Sequence, residues 1–457
     1  MAGKEKVSPL MAVFSQYIAT ALKRKLPAEV VERAKLHLVD TFAAMISGSR
    51  LLPGKRAAAY IQHMGGPREA GVIGTRVMAS VPYAALANGM CGHADESDDT
   101  HPATRSHPGV SVLPAVLAIA ERQRLSGGTI LRALVLGYEV CARILYALNA
   151  DKLTRSGQNA SAKGGLFGAA AASAAMLNLD ARKIRYVLSY CAQQAAGLFT
   201  TIRDTQHIEK AYVLGGMPAH NGTASALMVA SGFTGVDDVL TGEPSLLSAF
   251  SRAGDHQALV RGLGRDYEIL RCAIKYWPAA GGIQGPMHVL RDLMRQHSIR
   301  AGDVKKLVVR MPDNELSAVD NRDMPGETVQ HMLTVLLIDG HVNFSTSHDY
   351  KRMRDAQVLK FRRDCVETIG DASMTDPLRR WRCAMEITLK NGCKLSHQTM
   401  AAQGTFENPL TRGEEQEKAL DLIAPIIGKQ RSHALLKTLF AIEDVDNVRV
   451  LRDLYKA

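Results

Sequence analysis

The sequence predicts a mainly α-helical protein, with a large all-helical domain and a smaller α+β domain inserted into it. Apolar side chains recur with the period of buried helices in the first part of the chain and again near its end. Between these parts lie strand-like segments and a hairpin turn signal. A chain of 457 residues is too long for a single domain with one ordinary hydrophobic core. We expect residues 1–265 and 403–457 to form the helical domain and residues 266–402 to form the α+β domain.

The helices of the first part are separated by Gly, Pro and Asn stops. Their expected ranges are 10–22, 30–42, 56–64, 81–90, 110–123, 128–148, 164–177, 180–197 and 223–231. Small residues recur throughout 164–177, so we predict that this is the central buried helix of the domain. The pair Gly164-Gly165 in its first turn fits either anion binding at free N–H groups or close packing alone.

The inserted region is identified by its strands. The expected strands are 304–311, 384–389 and 394–398, and the expected helices are 327–337 and 353–360. The last two strands flank Asn391-Gly392, a strong hairpin signal. After residue 412 the pattern is helical with a polar face, which favours a return to the helical domain.

The composition is that of a globular protein, with 46% apolar and 22% charged residues. The net charge of +11 and the pI near 9.3 suit anionic partners. The basic residues form no tail and do not alternate with aromatic residues, so we do not expect a nucleic-acid partner. A small polycarboxylate substrate and simple solubility both account for the charge.

The seven cysteines are scattered and form no CxxC pair. This pattern argues against a disulfide scaffold and against a zinc or iron–sulfur site. Residues 1–26 contain no secretory apolar segment, and the most apolar run, 164–177, is too short to cross a membrane. We therefore predict a cytoplasmic protein with reduced thiols and no membrane partner.

The most polar stretch between two apolar segments is His93–Gly109, which reads HADESDDTHPATRSHPG. It supplies acids, bases and hydroxyls, enough for proton transfer. A loop held by two buried helices is also a common place for functional residues. The alternative is a solvated turn whose Asp and Thr side chains cap the next helix.

Two lysines have the same ambiguity between a functional and a surface position. Lys275 lies in AIKYWPAAGG, where the helical part gives way to the α+β part, and Lys210 lies in a polar stretch that contains Gly215-Gly216. A lysine at a domain junction is suited to binding a substrate carboxylate. The Walker A, GxGxxG, HExxH and GxSxG patterns are absent, so we expect no cofactor, no metal, and acid–base chemistry by ordinary side chains.

Several motifs in order along the chain resemble the MmgE/PrpD family, which includes 2-methylcitrate dehydratase, cis-aconitate decarboxylase and iminodisuccinate epimerase. They are GHADESDDTHPATRSHPG, GYEVCARI, GGLFGAAAA, EKAYVLGGMPAHNG, IKYWP with a Gly-rich turn, and NPL at Asn408. The resemblance implies a helical domain from both chain ends, an inserted α+β lid domain and a homodimer. It also implies cofactor-free chemistry on a small carboxylate in the cleft between the domains.

The resemblance assigns functions to individual residues. His107 matches the family's histidine and would be the acid/base, because a histidine near its working pKa moves protons at neutral pH. Lys210 and Lys275 would bind the substrate carboxylates, with Lys275 also a possible proton donor, while Glu96 and Thr100 would orient the substrate. The remaining predicted substrate-binding residues are Asp95, Asp99, Asn159, Ser161, His220 and Gln284, of which Asp99 is expected to be mainly structural.

Departures from the family pattern bear on the substrate. Asn159 occupies the position of a histidine in the dehydratase and decarboxylase branch, and an amide cannot serve as a proton carrier at neutral pH. Residues 279–284 replace a Cys-x-x-Thr-His stretch, and His220 stands where arginine or lysine is common. We expect a lyase of the dehydratase type in a divergent branch. The alternatives are epimerisation, decarboxylation, or a non-catalytic protein that binds small anions.

Overall fold

The computed structural model describes residues 7–251 and 253–457, and these form two compact units. The helical unit contains the described residues of 1–94, 98–272 and 422–457. The sheet unit contains residues 95–97 and 273–421. Helices dominate the chain, and the strands belong to one two-stranded and one four-stranded sheet. The predicted mainly α fold with a smaller α+β region is confirmed.

The helical unit begins with long helices joined by short turns. Its helices are α1 (Pro9–Thr20), α2 (Ala28–Gly48), α3 (Leu52–Met64), α4 (Val81–Gly92), α5 (Gly109–Gln123), α6 (Gly127–Leu148), α7 (Ala150–Arg155), α8 (Ala160–Met176), α9 (Ala181–Gln193), α10 (Ile208–Ala211), α11 (Met217–Ala230) and α12 (Leu246–Phe250). A π-helical turn at Tyr212–Gly216 joins α10 to α11. Side-chain caps fix several starts, among them Ser8 on α1 and Ser126 on α6.

Helix α8 is the central helix of this unit, and every residue from Ala160 to Met176 is buried. It packs on α5, α6 and α11. The contact with α6 is close because a Cβ added at Gly168 would lie 2.5 Å from the carbonyl oxygen of Gly137. The predicted central buried helix is therefore confirmed, and its small side chains allow the neighbouring backbones to approach.

The helical unit also contains a short antiparallel hairpin that its apolar pattern did not predict. Strands β1 (Ala70–Gly71) and β2 (Met78–Ala79) pair directly. They are too short to show the alternation that marks a strand in sequence. At the end of the chain, α20 (Lys429–Phe440) and α21 (Arg452–Tyr455) complete the unit. The preceding helix, α19, spans Arg412–Ile427.

The sheet unit is built on a four-stranded sheet in the order β4-β3-β5-β6. Its strands are β3 (Val304–Pro312), β4 (Val366–Asp371), β5 (Cys383–Leu389) and β6 (Lys394–Thr399). Its helices are α13 (Gly281–His297), α14 (Asp313–Val319), α15 (Val329–Asp339), α16 (Phe344–Ser347), α17 (Tyr350–Met353) and α18 (Ala356–Cys365). Apolar residues of β3, including Leu307 and Val309, share a core with α13 and α15.

The predicted strands at 304–311, 384–389 and 394–398 are present as β3, β5 and β6. β5 and β6 form the predicted antiparallel hairpin, with Gly392 at φ 89° in the turn. Strand β4 was not predicted. It pairs in parallel with β3 at the sheet edge, and its side chains are only partly buried or exposed. Such an edge strand lacks the apolar alternation that a sequence pattern can detect.

The seven cysteines are free thiols, of which Cys365 is partly exposed and Cys393 is exposed. Among residues 7–251 and 253–457, we find no helix that combines the length and apolar character a membrane span requires.

Replacing Gly168 by Ala tests the close contact of α6 and α8. We expect a loss of about 1–3 kcal/mol in the free energy of unfolding, because the added methyl group must push against the Gly137 carbonyl. Urea unfolding followed by circular dichroism measures it. Gly128→Ala is the matched control, since its Cβ would meet nothing nearer than 3.7 Å. Equal stability of the two variants would contradict this packing.

Candidate functional site

The loop between α4 and α5, residues 93–108, is the most concentrated polar segment of the chain. Every residue from His93 to Pro102 is buried. Burying so many carboxylates and imidazoles is unfavourable unless each is hydrogen-bonded. The contacts of this loop therefore decide which of its side chains are structural and which are placed for chemistry.

Asp98 accepts hydrogen bonds from two histidines. Its Oδ2 lies 2.8 Å from Nδ1 of His107, and both of its oxygens lie 3.1 Å from Nδ1 of His93. The Asp98 side chain is fully buried, whereas that of His107 retains 20% exposure. A carboxylate bound to Nδ1–H fixes the imidazole tautomer and leaves Nε2 as the basic atom.

His107 is held from a second side by α8. Its backbone N–H donates to Oγ of Ser161 at 2.9 Å. Its ring packs edge-on against His93, with the centroids 5.0 Å apart. Within residues 7–251 and 253–457, Nε2 of His107 has no hydrogen-bond partner. His107, Asp98 and Ser161 thus form one arrangement with a single basic nitrogen left for a reaction.

Asp99 has a different environment from its neighbour. It accepts hydrogen bonds from His37 and from the Tyr138 hydroxyl, each at 2.6 Å, and from the Gly109 N–H at 3.0 Å. Burial together with the Asp99 charge raises the pKa of Tyr138 well above its usual value, so this hydroxyl stays protonated as a donor. These contacts give Asp99 a structural function, in keeping with what the sequence led us to expect.

Thr100 and His101 make contacts within the loop, and His101 also makes one outside it. The Thr100 hydroxyl donates to the Ser106 carbonyl at 3.0 Å, and the side chain of His101 contacts Thr104 and Glu268. These bonds close the turn at 100–106. Thr100 was predicted to orient substrate. In the structure its hydroxyl donates a hydrogen bond to the loop carbonyl of Ser106.

Asn159 caps helix α8. Its Oδ1 accepts from the Ala162 N–H at 3.0 Å, and its own N–H donates to the Gly197 carbonyl. Asparagine is a preferred N-cap residue, because its side chain satisfies a free N–H of the first turn. The structure therefore gives asparagine a capping function at this position. The sequence resemblance had indicated only that a histidine is replaced here.

The stretch 203–216 brings another histidine beside the loop. His207 is buried and donates from Nε2 to the His93 carbonyl at 2.9 Å, with the two rings stacked 5.3 Å apart. It precedes α10, in which the Lys210 N–H donates to Asp204 at 3.0 Å. Lys210 is partly buried. Its proposed binding of a carboxylate stays a prediction.

In the sheet unit, two buried lysines hold the short segment 95–97. Nζ of Lys275 donates to the Glu96 carbonyl at 2.8 Å and lies 3.5 Å from its carboxylate. Nζ of Lys418 donates to the Ser97 carbonyl at 2.9 Å. The Asp95 carboxylate accepts from the N–H and the hydroxyl of Ser97. Glu96 itself adopts a φ of 60°.

Gln284 supports the Lys275 segment from α13. Its side chain makes four hydrogen bonds at 3.0–3.1 Å to main-chain groups of Tyr276, Trp277 and Ala279. An amide offers about this number of positions in all. The side chain predicted to bind substrate is thus occupied by the turn that follows Lys275.

His220 lies away from these contacts within its own unit. Its ring packs against Tyr83 at 5.5 Å, and its Nδ1 lies 2.9 Å from Oδ1 of Asn221. It lines a surface pocket of about 410 Å³ that also includes Tyr60 and Tyr212. The structure does not bring His220 into contact with His107 or Asp98.

Sequence reasoning missed Asp98, His93 and His207 as members of the site. Asp98 belongs to the run of acidic residues at 95–99, and no periodicity distinguishes one member of such a run from another. His207 was visible only as one histidine in a polar stretch. Its position beside His93 depends on how the helices pack, which spacing along the chain does not reveal.

The described residues also contain His93, Asp98 and His107 with ligand atoms within 4.8 Å of one another. Imidazole and carboxylate can bind a divalent ion. Here, however, hydrogen bonds explain why the three side chains lie close together. The Nδ1 atoms of both histidines bind the Asp98 carboxylate.

Lys163 is a further buried cation in α8 that the sequence did not single out. Its side chain is almost fully buried, its Nζ lies 3.3 Å from the Ala196 carbonyl, and it lies over the Phe250 ring. Burial lowers the pKa of Lys163 to about 8. The ammonium group is therefore destabilised where it stands, two residues after Ser161.

Comparison with known proteins gives matches over most of the chain. Family models of the MmgE/PrpD N-terminal and C-terminal domains match residues 12–258 and 277–441. The chain is 28% identical to the cis-aconitate decarboxylase-like protein oryM of Aspergillus oryzae, over 93% of each chain. It is 25% identical to the cis-aconitate decarboxylase of Homo sapiens, over 93% of this chain and 90% of that protein.

The burial of Lys163 gives a pH-dependent prediction. Lys163→Met should unfold with a free energy about 1 kcal/mol larger at pH 7, because no ammonium group is buried. The pKa of Lys163 is about 8 in the folded protein and 10.5 for an ordinary lysine, so the unfolded chain holds more protons between these pH values. The free energy of unfolding of the wild-type protein therefore increases as pH rises from 8. The difference in unfolding free energy between the variant and the wild-type protein becomes smaller.

Urea unfolding at pH 7, 8 and 9 measures this gap. The control is Lys152→Met, which removes an exposed lysine of the neighbouring α7 and should change stability little at any pH. A gap between wild type and Lys163→Met that does not change with pH would refute the shifted titration.

Proposed function

Because the chain belongs to the MmgE/PrpD family, we propose that it is a cofactor-independent lyase acting on a small di- or tricarboxylate. The observation that carries this proposal is the Asp98–His107 pair, a buried carboxylate on Nδ1 of a partly exposed imidazole. Such a pair is suited to moving a proton at a carbon next to a carboxylate. The relatives, which are named as cis-aconitate decarboxylases, support the lyase class.

His107 acts in this proposal through Nε2. Asp98 keeps the proton on Nδ1 and stabilises the imidazolium that forms when Nε2 takes a second proton. Ser161 prevents the backbone at His107 from shifting, because its hydroxyl accepts the His107 N–H. Asp98 and Ser161 thereby fix the base before substrate binds, which reduces the cost of orienting it during the reaction.

Two reactions within the lyase class use His107 differently at the substrate carbon, as a base in dehydration and as an acid in decarboxylation. In dehydration, Nε2 of His107 removes a proton and the electron pair forms a double bond. The hydroxide then leaves and takes that proton from the His107 imidazolium, which gives water. In decarboxylation of an unsaturated acid, the bond to a carboxylate breaks and releases CO₂. The electron pair then moves through the double bond, and the imidazolium of His107 protonates the far carbon.

Dehydration was our expectation from the sequence, and the names of the relatives favour decarboxylation. Asn159 supports neither reaction as a proton carrier, since it is an amide that caps α8. We therefore assign the acid/base function to His107 alone within the helical unit. Lys210 and Lys275 keep their proposed function as carboxylate-binding cations, for which the net charge of +11 is a favourable background.

The test is incubation of the purified protein with a panel of di- and tricarboxylates in deuterated water, followed by NMR. CO₂ release with deuterium in the product indicates decarboxylation, and alkene formation without CO₂ indicates dehydration. Deuterium exchange without a new bond pattern indicates epimerisation. Absence of turnover and exchange across the panel would contradict the lyase proposal and favour a protein that only binds anions.

Replacing the pair tests the assigned functions. On the substrate that turns over, His107→Gln should lower kcat by about 10²–10⁴-fold, because the proton-transfer group is lost. Asp98→Asn should lower kcat by about 10²-fold or more, because the amide no longer fixes the imidazole tautomer. KM should change little, since neither group is proposed to bind a carboxylate.

The matched control is His433→Gln, an exposed histidine on α20. It should keep wild-type kcat. Melting curves of all three variants show whether the fold is intact. A His107→Gln variant that is folded and fully active would exclude His107 as the acid/base.

A further inference from the structure

A second pocket of the helical unit lies where the β1–β2 hairpin meets the end of the chain. It has a volume of about 550 Å³, within the range of small-molecule sites. Its cationic lining residues are Arg68, Arg76, Arg431, Arg452 and Lys456. They come from three parts of the chain, the β1–β2 hairpin region, α20 and the α21 region, that only the fold brings together. None belongs to the residues assigned to proton transfer.

One buried carboxylate fixes both walls of this pocket. Glu121, on α5, accepts hydrogen bonds from the Gly71 N–H at 2.9 Å, from the Tyr455 hydroxyl at 2.8 Å and from Nε of Arg452 at 2.7 Å. Arg452 also donates to the Glu69 carbonyl at 2.8 Å. The hairpin and α21 are thus connected through a single buried group, so the pocket between them is preorganised.

The positive charge of the pocket is only partly balanced. Arg452 is paired with Glu121, and Lys456 lies 2.8 Å from Asp453. In the described part of the chain, Arg68 and Arg76 form no ion pair, and Arg431 donates to the Lys456 carbonyl rather than to a carboxylate. Three guanidinium groups at the cavity therefore have no carboxylate partner among the described residues. Asp453, which also lines the cavity, is paired with Lys456.

We propose that this pocket binds a polyphosphate group, either free or as part of a nucleotide. Several guanidinium groups around one cavity suit an anion with several charges, and their planar donors match phosphate oxygens in pairs. A cavity of this size suits a small ligand rather than a nucleic-acid duplex, which would need an extended basic surface. Val77 and Met78 line the same pocket and supply apolar surface beside the cations.

Calorimetric titration of the full chain with sodium tripolyphosphate and with ATP tests the proposal. We expect saturable binding of one equivalent that weakens as salt is raised. Similar affinities for the two ligands identify the phosphate chain as the recognised group. Tighter binding of ATP shows that the nucleoside adds contacts. Both results support the site.

The variant is Arg68→Gln with Arg76→Gln, which removes two exposed cations without touching the Glu121 contacts. Affinity should fall about tenfold or more, because charge-assisted hydrogen bonds to phosphate are lost. The control is Arg50→Gln with Arg295→Gln, two exposed arginines outside the pocket, and its affinity should equal that of the wild-type protein. Circular dichroism verifies that both variants are folded.

Three results would overturn the proposal. They are no saturable binding of either ligand, equal loss of affinity in the two double variants, and binding of a DNA duplex as tight as that of tripolyphosphate. Because binding is measured without turnover, these outcomes are independent of the lyase proposal.

Discussion

The helical unit depends on the requirement that the carboxylates of a buried loop be satisfied. Asp99 meets it with three donors, from α2, α6 and the first residue of α5. An ionised carboxylate left unpaired at this depth would be strongly destabilising. These three bonds therefore determine the path of the chain between α4 and α5, and with it the positions of the side chains that precede and follow Asp99.

Asp98 and Asp99 show how neighbouring residues of one type acquire different functions. Asp99 is surrounded by donors that belong to the scaffold, whereas Asp98 shares its oxygens between two imidazoles, one of which is partly exposed. The difference comes from the groups that surround each side chain and not from the chemistry of aspartate. A rigid Asp99 keeps Asp98 in position, and Asp98 sets the tautomer of His107.

Cations are used in three ways in this protein. Lys275 and Lys418 bind main-chain carbonyls and hold a short loop segment in the sheet unit. Lys163 is buried against one carbonyl and an aromatic ring, which lowers its pKa. Arg68, Arg76 and Arg431, which line the pocket between the β1–β2 hairpin and the end of the chain, are exposed. The net positive charge therefore includes cations that bind main-chain carbonyls as well as cations proposed to bind anions.

The sequence by itself determined the fold class, the central helix α8, three of the four strands of the larger sheet and the family, because these follow from periodicity and ordered motifs. It also identified His107 and Ser161, which the structure joins by a hydrogen bond. Tertiary packing alone decided that Asp98 is the carboxylate on His107 and that Gln284 supports a turn. His107 lies nine residues from Asp98, and Gln284 lies five to eight residues from the groups that it binds. Irregular segments have no periodicity that shows which side chains meet, so these pairings emerge only when the chain is folded.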